Sequence, residues 1–122
     1  MFKVLLTLFF ITFYISCENN QSDNISLFEI DGKTREYILY IPKNIRPNAS
    51  LVFVLHGLGG TNSHIREYTR MDMVADKHGF AVCYPQGIES SENTIHTQKG
   101  STFWNVGYDF HQNQNVDDVG FI

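Results

Sequence analysis

At 122 residues the chain has room for one domain or part of one. Its 43% apolar and 14% aromatic contents are globular values and exclude a disordered tail. A formal charge of −4 and the lack of any basic block exclude a nucleic-acid partner, and acidity this mild concerns solubility rather than substrate.

Residues 1–16 are expected to be a signal peptide of lipoprotein type. Lys3 supplies the positive start, and residues 4–15 are an apolar run interrupted by threonines, well short of the ~20 residues that a membrane-spanning helix needs. Tyr14-Ile15-Ser16-Cys17 has the form of a bacterial lipobox, with a small residue before the cysteine, although Tyr14 stands where an aliphatic side chain is usual. Lipid attachment at Cys17 is the first expectation, ordinary secretion the second and an uncleaved anchor the third. All three place the protein in the bacterial cell envelope or outside the cell, and the first makes the membrane a partner through Cys17. The second cysteine, Cys83, lies in the apolar run Phe80-Ala81-Val82-Cys83-Tyr84 and is expected to be a buried small hydrophobe, not a nucleophile.

Residues 17–24 are polar and form a tether, and residues 25–122 form the domain. Two strand-like runs, 25–30 and 35–41, flank Asp31-Gly32, a strong hairpin signal. Pro42 ends the second run because it has no N–H to donate to a ladder. Residues 51–55 are continuously apolar, the pattern of a central parallel strand covered on both faces. One helix is expected over 63–78, with Ile65, Tyr68, Met71, Val74 and Ala75 on the apolar side, Asn62 or Ser63 as cap, and Gly79 at the left-handed end. The strand 80–84 then completes a right-handed βαβ unit. Residues 86–115 show no periodicity and read as one long loop, with Phe103, Trp104 and Tyr108 arguing against disorder. A further helix starts at 116–122, and there Asp117 and Asp118 sit at its positive end.

The most chemical segment is His56-Gly57-Leu58-Gly59-Gly60. One reading has the glycines admit a substrate carbonyl, with the Leu58 N–H donating to a developing oxyanion. The other is a glycine-rich strand-to-helix turn, with no ligand or with phosphate at the helix start. No phosphate-loop glycine pattern supports phosphate. His56 reads as a residue that orients the loop by hydrogen bonding, not as a general base. No histidine pair has zinc spacing, so no metal is expected, and His111 in its polar stretch is expected to be solvated. Asp117 and Asp118 point about 100° apart on a helix and so cap it instead of converging on a substrate. Trp104 either stacks on a substrate ring or plugs the edge of the core.

Several segments together resemble the start of secreted α/β-hydrolase esterases of the polyhydroxybutyrate depolymerase/feruloyl esterase-like family. They are Arg35-Glu36-Tyr37-Ile38-Leu39-Tyr40-Ile41-Pro42, the run 51–57, Met71-Asp72-Met73-Val74-Ala75-Asp76, Gly79-Phe80-Ala81-Val82, Tyr84-Pro85-Gln86-Gly87, Trp104-Asn105 and Val116-Asp117-Asp118-Val119-Gly120-Phe121-Ile122. The resemblance spans residues 28–122. It implies an α/β fold, the N-terminal portion of an α/β-hydrolase, with an N-terminal hairpin, a βαβ unit, a long loop and the start of a further helix. It implies a carboxylic ester substrate (polyhydroxyalkanoate, or feruloyl or acetyl groups on polysaccharide) and neither metal nor organic cofactor. The chain holds no Gly-x-Ser-x-Gly, so nucleophile, acid and base are expected beyond residue 122. The role that carries over is that of oxyanion donors, to Gly57 and Leu58, with His56, Gly59 and Gly60 as loop support and Trp104 on the substrate side. In that arrangement the strand 51–55 is left as a bare edge without its next neighbour, and the chain made alone is expected to be poorly soluble and inactive. The rival is a non-catalytic surface lipoprotein that binds glycan or polymer on the same scaffold. A peptidase is a third option.

Overall fold

A computed structural model describes residues 25–122. The expected signal peptide at 1–16, the tether at 17–24 and the Cys17 lipid site lie outside the described residues.

The chain opens with a hairpin. β1 (Ile25–Ile30) pairs antiparallel with β2 (Lys33–Tyr40), and Ile30 faces Lys33 across a two-residue turn. Asp31 and Gly32 both adopt positive φ, 50° and 70°, the twist that tight hairpins need and that Asp-Gly tolerates. β2 then pairs antiparallel with β4 (Ala81–Pro85), and β4 pairs in parallel with β3 (Leu51–Phe53). The order across the sheet is β1-β2-β4-β3. The centre therefore belongs to β4, whose Val82, Cys83, Tyr84 and Pro85 are all buried. β3 lies at the edge and is three residues long, not the five expected, and the side chains of Leu51, Phe53 and Leu55 are exposed. The apolar run at 51–55, expected to be a central strand, has one strand neighbour among the described residues.

The single helix expected over 63–78 is two helices, α1 (Asn62–Thr69) and α2 (Met71–His78). Arg70 breaks them in the left-handed region at φ 50°, where its N–H still closes α1 on the Arg66 carbonyl at 3.0 Å. The cap of α1 is Thr61, whose hydroxyl accepts from the His64 N–H at 3.1 Å, one residue before the expected position. Gly79 ends α2 at φ 75° as expected. The break rotates the apolar stripe. Ile65, Met71 and Ala75 pack on the core with Ile38, Val82 and Tyr84, whereas Tyr68 and Val74 face out. Two phenols pin α2 to the sheet. Tyr84 donates to Asp72 at 2.8 Å and Tyr40 donates to Asp76 at 2.7 Å.

The helices cover one face of the sheet. On the other, Phe28, Leu39, Leu51, Phe53, Phe121 and Ile122 line an open apolar groove of about 290 Å³. The expected long loop is partly ordered. β5 (Ile88–Glu89) pairs antiparallel with β6 (Thr102–Phe103), and a 3-10 helix runs over Asp109–Gln114. Last comes α3 (Asp118–Phe121), capped by Asp117, whose carboxylate accepts from the Gly120 N–H at 2.8 Å.

Candidate functional site

Beyond β3 the chain follows β4 for one more bond, from the Val54 N–H to the Cys83 carbonyl at 2.9 Å, and then leaves the sheet. The turn 56–60 begins there. His56 is almost wholly buried, and its ring is held at both nitrogens. Nε2 accepts from the Gly87 N–H at 2.9 Å and lies 2.9 Å from the Gln86 side-chain amide. A backbone N–H is only a donor, so Nε2 carries the lone pair and Nδ1 carries the proton. That proton goes to the Gly57 carbonyl, 2.7 Å away.

This bond orients the peptide between Gly57 and Leu58. The Gly57 carbonyl also accepts from the Gly60 N–H at 3.0 Å, so it is anchored twice. In a trans peptide the N–H points opposite to the C=O. With the carbonyl fixed inward, the Leu58 N–H turns outward. Among the described residues neither the Leu58 nor the Gly57 N–H has a hydrogen-bond partner, whereas the Gly59 N–H is spent on the Thr102 carbonyl at 2.8 Å. Gly59 takes the left-handed conformation that the turn needs, at φ 73°.

The far segments close over the turn. The Thr102 hydroxyl donates to the Gly60 carbonyl at 2.6 Å, and the Trp104 indole N–H donates to the His56 carbonyl at 2.8 Å. The Trp104 and His56 rings lie 5.0 Å apart. Gly87 allows this close approach, since a Cβ there would collide with the Phe103 carbonyl and crowd the His56 ring. Leu58, exposed at the tip, separates two shallow pockets. One, of about 260 Å³, runs along Gly57, His64, Ile65 and Tyr68. The other, of about 210 Å³, is walled by Phe103, Trp104, Val106, Tyr108 and Phe110.

The residues His56, Gly57, Leu58, Gly59, Gly60 and Trp104 therefore come together in one place. His111 does not behave as its polar neighbours imply. It is buried against Phe103 and Phe110, with ring centroids 4.5 Å and 4.4 Å away, and its Nδ1 has no hydrogen-bond partner. Burial pushes its pKa below the ordinary imidazole value. Asp118 also does more than sit at a helix start. It is buried and paired with Arg35 at 2.6 Å. Arg35, Gln86, Gly87 and Thr102 escaped sequence reasoning. Arg35 lies in the polar half of β2, Lys33-Thr34-Arg35-Glu36, where nothing in the sequence marks it as buried. Among the described residues no cluster of His, Cys, Asp or Glu could hold a metal ion.

The turn offers an outward Leu58 N–H and an unpaired Gly57 N–H at a strand end, beside a surface with aromatic walls. It can stabilise negative charge on an oxygen, and it carries no nucleophile or base of its own. No family model matches the chain. A stretch of 56 residues, 46% of the chain, is 36% identical to part of the bifunctional acetylxylan esterase/xylanase XynS20E of Neocallimastix patriciarum, of which it covers 8%. Over that stretch the chain is similar to a carbohydrate esterase.

Proposed function

We propose that this chain is part of a serine esterase acting on carboxylic esters, and that the Leu58 N–H, with that of Gly57, donates to the oxyanion. The observation that carries this is the anchored Gly57 carbonyl, which leaves the Leu58 N–H unpaired and turned outward. Such pre-aimed donors stabilise the charge that develops when a hydroxyl attacks an ester carbonyl, with no reorganisation at the moment of reaction. The sheet order β1-β2-β4-β3, with its antiparallel β2 and the parallel pair β3 and β4, supports the α/β-hydrolase reading. In that reading the serine, its histidine and its acid come from sequence after residue 122. The serine attacks the acyl carbon, the histidine takes its proton and later returns one to the leaving alcohol, and a donor after the serine completes the oxyanion site.

Trp104 stands on the substrate side, beside Leu58. The substrate is an acyl group on polysaccharide, acetyl or feruloyl, or a hydroxyalkanoate polymer. The similarity to an acetylxylan esterase/xylanase favours the polysaccharide esters. Lipid attachment at Cys17 would hold the enzyme on the cell envelope. Extension of the reading frame past codon 122 tests the proposal. A Gly-x-Ser-x-Gly serine that labels with a fluorophosphonate and hydrolyses p-nitrophenyl acetate is expected. A soluble product that ends at residue 122, hydrolyses nothing and is retained on xylan would favour the non-catalytic glycan-binding lipoprotein.

A further inference from the structure

Arg35 projects from β2 into the interior, where both it and Asp118 are almost fully buried. Its Nη2 donates to Asp118 Oδ1 at 2.6 Å and to the Gln86 carbonyl at 3.2 Å, and the guanidinium carbon lies 4.0 Å from the centre of the Phe121 ring. Burying two charges carries a desolvation penalty that an apolar pair would avoid.

Two chains of contacts leave it, and both end on His56. From Arg35, the first reaches the Gln86 carbonyl. The Gln86 side-chain amide meets the His56 Nε2 at 2.9 Å, and the next backbone N–H, that of Gly87, donates to the same nitrogen. From Asp118, the second passes through Oδ2, which accepts from the Asn105 N–H. The neighbouring Trp104 then donates its indole N–H to the His56 carbonyl at 2.8 Å. One chain fixes the imidazole and the other fixes the backbone on which it stands.

We propose that Arg35 and Asp118 are positioning residues for the turn at His56, Gly57 and Leu58, acting through Gln86 and Trp104. The pair ties β2 and α3 to the segments that close over the turn, and so sets the direction of the Leu58 N–H from the far side of the sheet edge. The importance of that direction rests on the esterase reading, but its measurement does not.

Trp104 is the single tryptophan, so fluorescence of the 122-residue chain reports on it alone. Asp118→Asn keeps the shape but offers one acceptor oxygen where two are used. Arg35→Lys keeps the charge without the planar guanidinium that lies against Phe121 and presents Nη2 to Gln86 and Asp118. In both folded variants, acrylamide quenching of Trp104 is expected to rise about twofold as the segment opens locally. Long-range 1H–15N spectra should show His56 passing from the single Nδ1–H tautomer to a mixture. Ala75→Gly, a core change in α2 beneath the opposite face of the sheet, should lower the urea midpoint and alter neither signal.

Where a charge variant fails to fold, Trp104→Phe keeps a ring but cannot donate, and its His56 ring signals should shift. Unchanged quenching and tautomer in folded Arg35→Lys and Asp118→Asn would overturn the proposal. So would the same changes in Ala75→Gly, or an unshifted His56 in Trp104→Phe. A longer reading frame that hydrolyses no ester, with these shifts intact, would refute the esterase reading and leave the positioning role standing.

Discussion

Removing the His56 ring releases the Gly57 carbonyl from its 2.7 Å bond and strands the Gly87 N–H in a buried position. His56→Ala should therefore destabilise the fold by about 2–3 kcal/mol, read as a lower urea midpoint. It should also shift the Leu58 amide resonance, since the Gly57 carbonyl then keeps only its bond from the Gly60 N–H. His111 gives a test by pH. Burial lowers its pKa below the ordinary 6.5, so in the range just under that value the unfolded chain binds a proton that the folded chain refuses. Stability from this group is complete above pH 6.5 and falls as the pH drops toward the lowered folded value. His111→Phe should flatten that part of the Tm profile, and an unchanged acid limb would contradict it. The turn at 56–60 was legible because an apolar run and three glycines are local features. Its partners were not, since Gln86, Gly87 and Trp104 lie far along the chain and no periodicity marks a partner at such distance. The burial of His111 is hidden from sequence for the same reason. The polar residues beside it are visible in sequence, whereas the rings of Phe103 and Phe110 reach it through the fold.

At the scale of elements, the hairpin at Asp31-Gly32, the parallel pair β3 and β4, and the glycine stop at Gly79 all follow patterns that sequence displays. The break at Arg70 does not, because arginine favours helix and no glycine or proline announces the left-handed residue. That conformation is strained for a residue with a Cβ, and Arg70→Gly should stabilise the fold by roughly 0.5–1 kcal/mol, after allowing for the greater freedom of glycine in the unfolded chain. A lower urea midpoint for this variant would mean that the arginine side chain matters more than its backbone. The anchoring of α2 has an alkaline signature. The bond to Asp76 raises the Tyr40 pKa to about 12, and burial with the bond to Asp72 pushes Tyr84 upward as well. A raised phenol pKa means that stability is whole below pH 10 and declines as the pH climbs toward the folded value. Tyr84→Phe should cost about 1–2 kcal/mol at neutral pH and shrink that alkaline loss, as thermal unfolding at pH 8 and pH 11 would show.

Across the whole molecule, one face of the sheet is covered by α1 and α2, while the other presents Phe28, Leu39, Leu51 and Phe53 in an open groove. β3 adds an edge whose outward side has no charge or proline to discourage pairing. Phe53→Lys should raise the soluble yield of the 122-residue chain, and an unchanged yield would locate the liability elsewhere. The same edge lies directly below the turn at His56, so the least protected strand is also the one that presents the unpaired N–H groups. In the proposed esterase the Leu58 N–H stabilises an oxyanion, and a longer chain that carries the proposed nucleophile puts this to the test. Leu58→Pro removes that N–H, while Leu58→Ala shortens the side chain and keeps it. With p-nitrophenyl acetate, Leu58→Pro should lower kcat by about 10²–10³ with the chain still folded, and Leu58→Ala should stay near the parent rate. Equal rates for the two variants would contradict it.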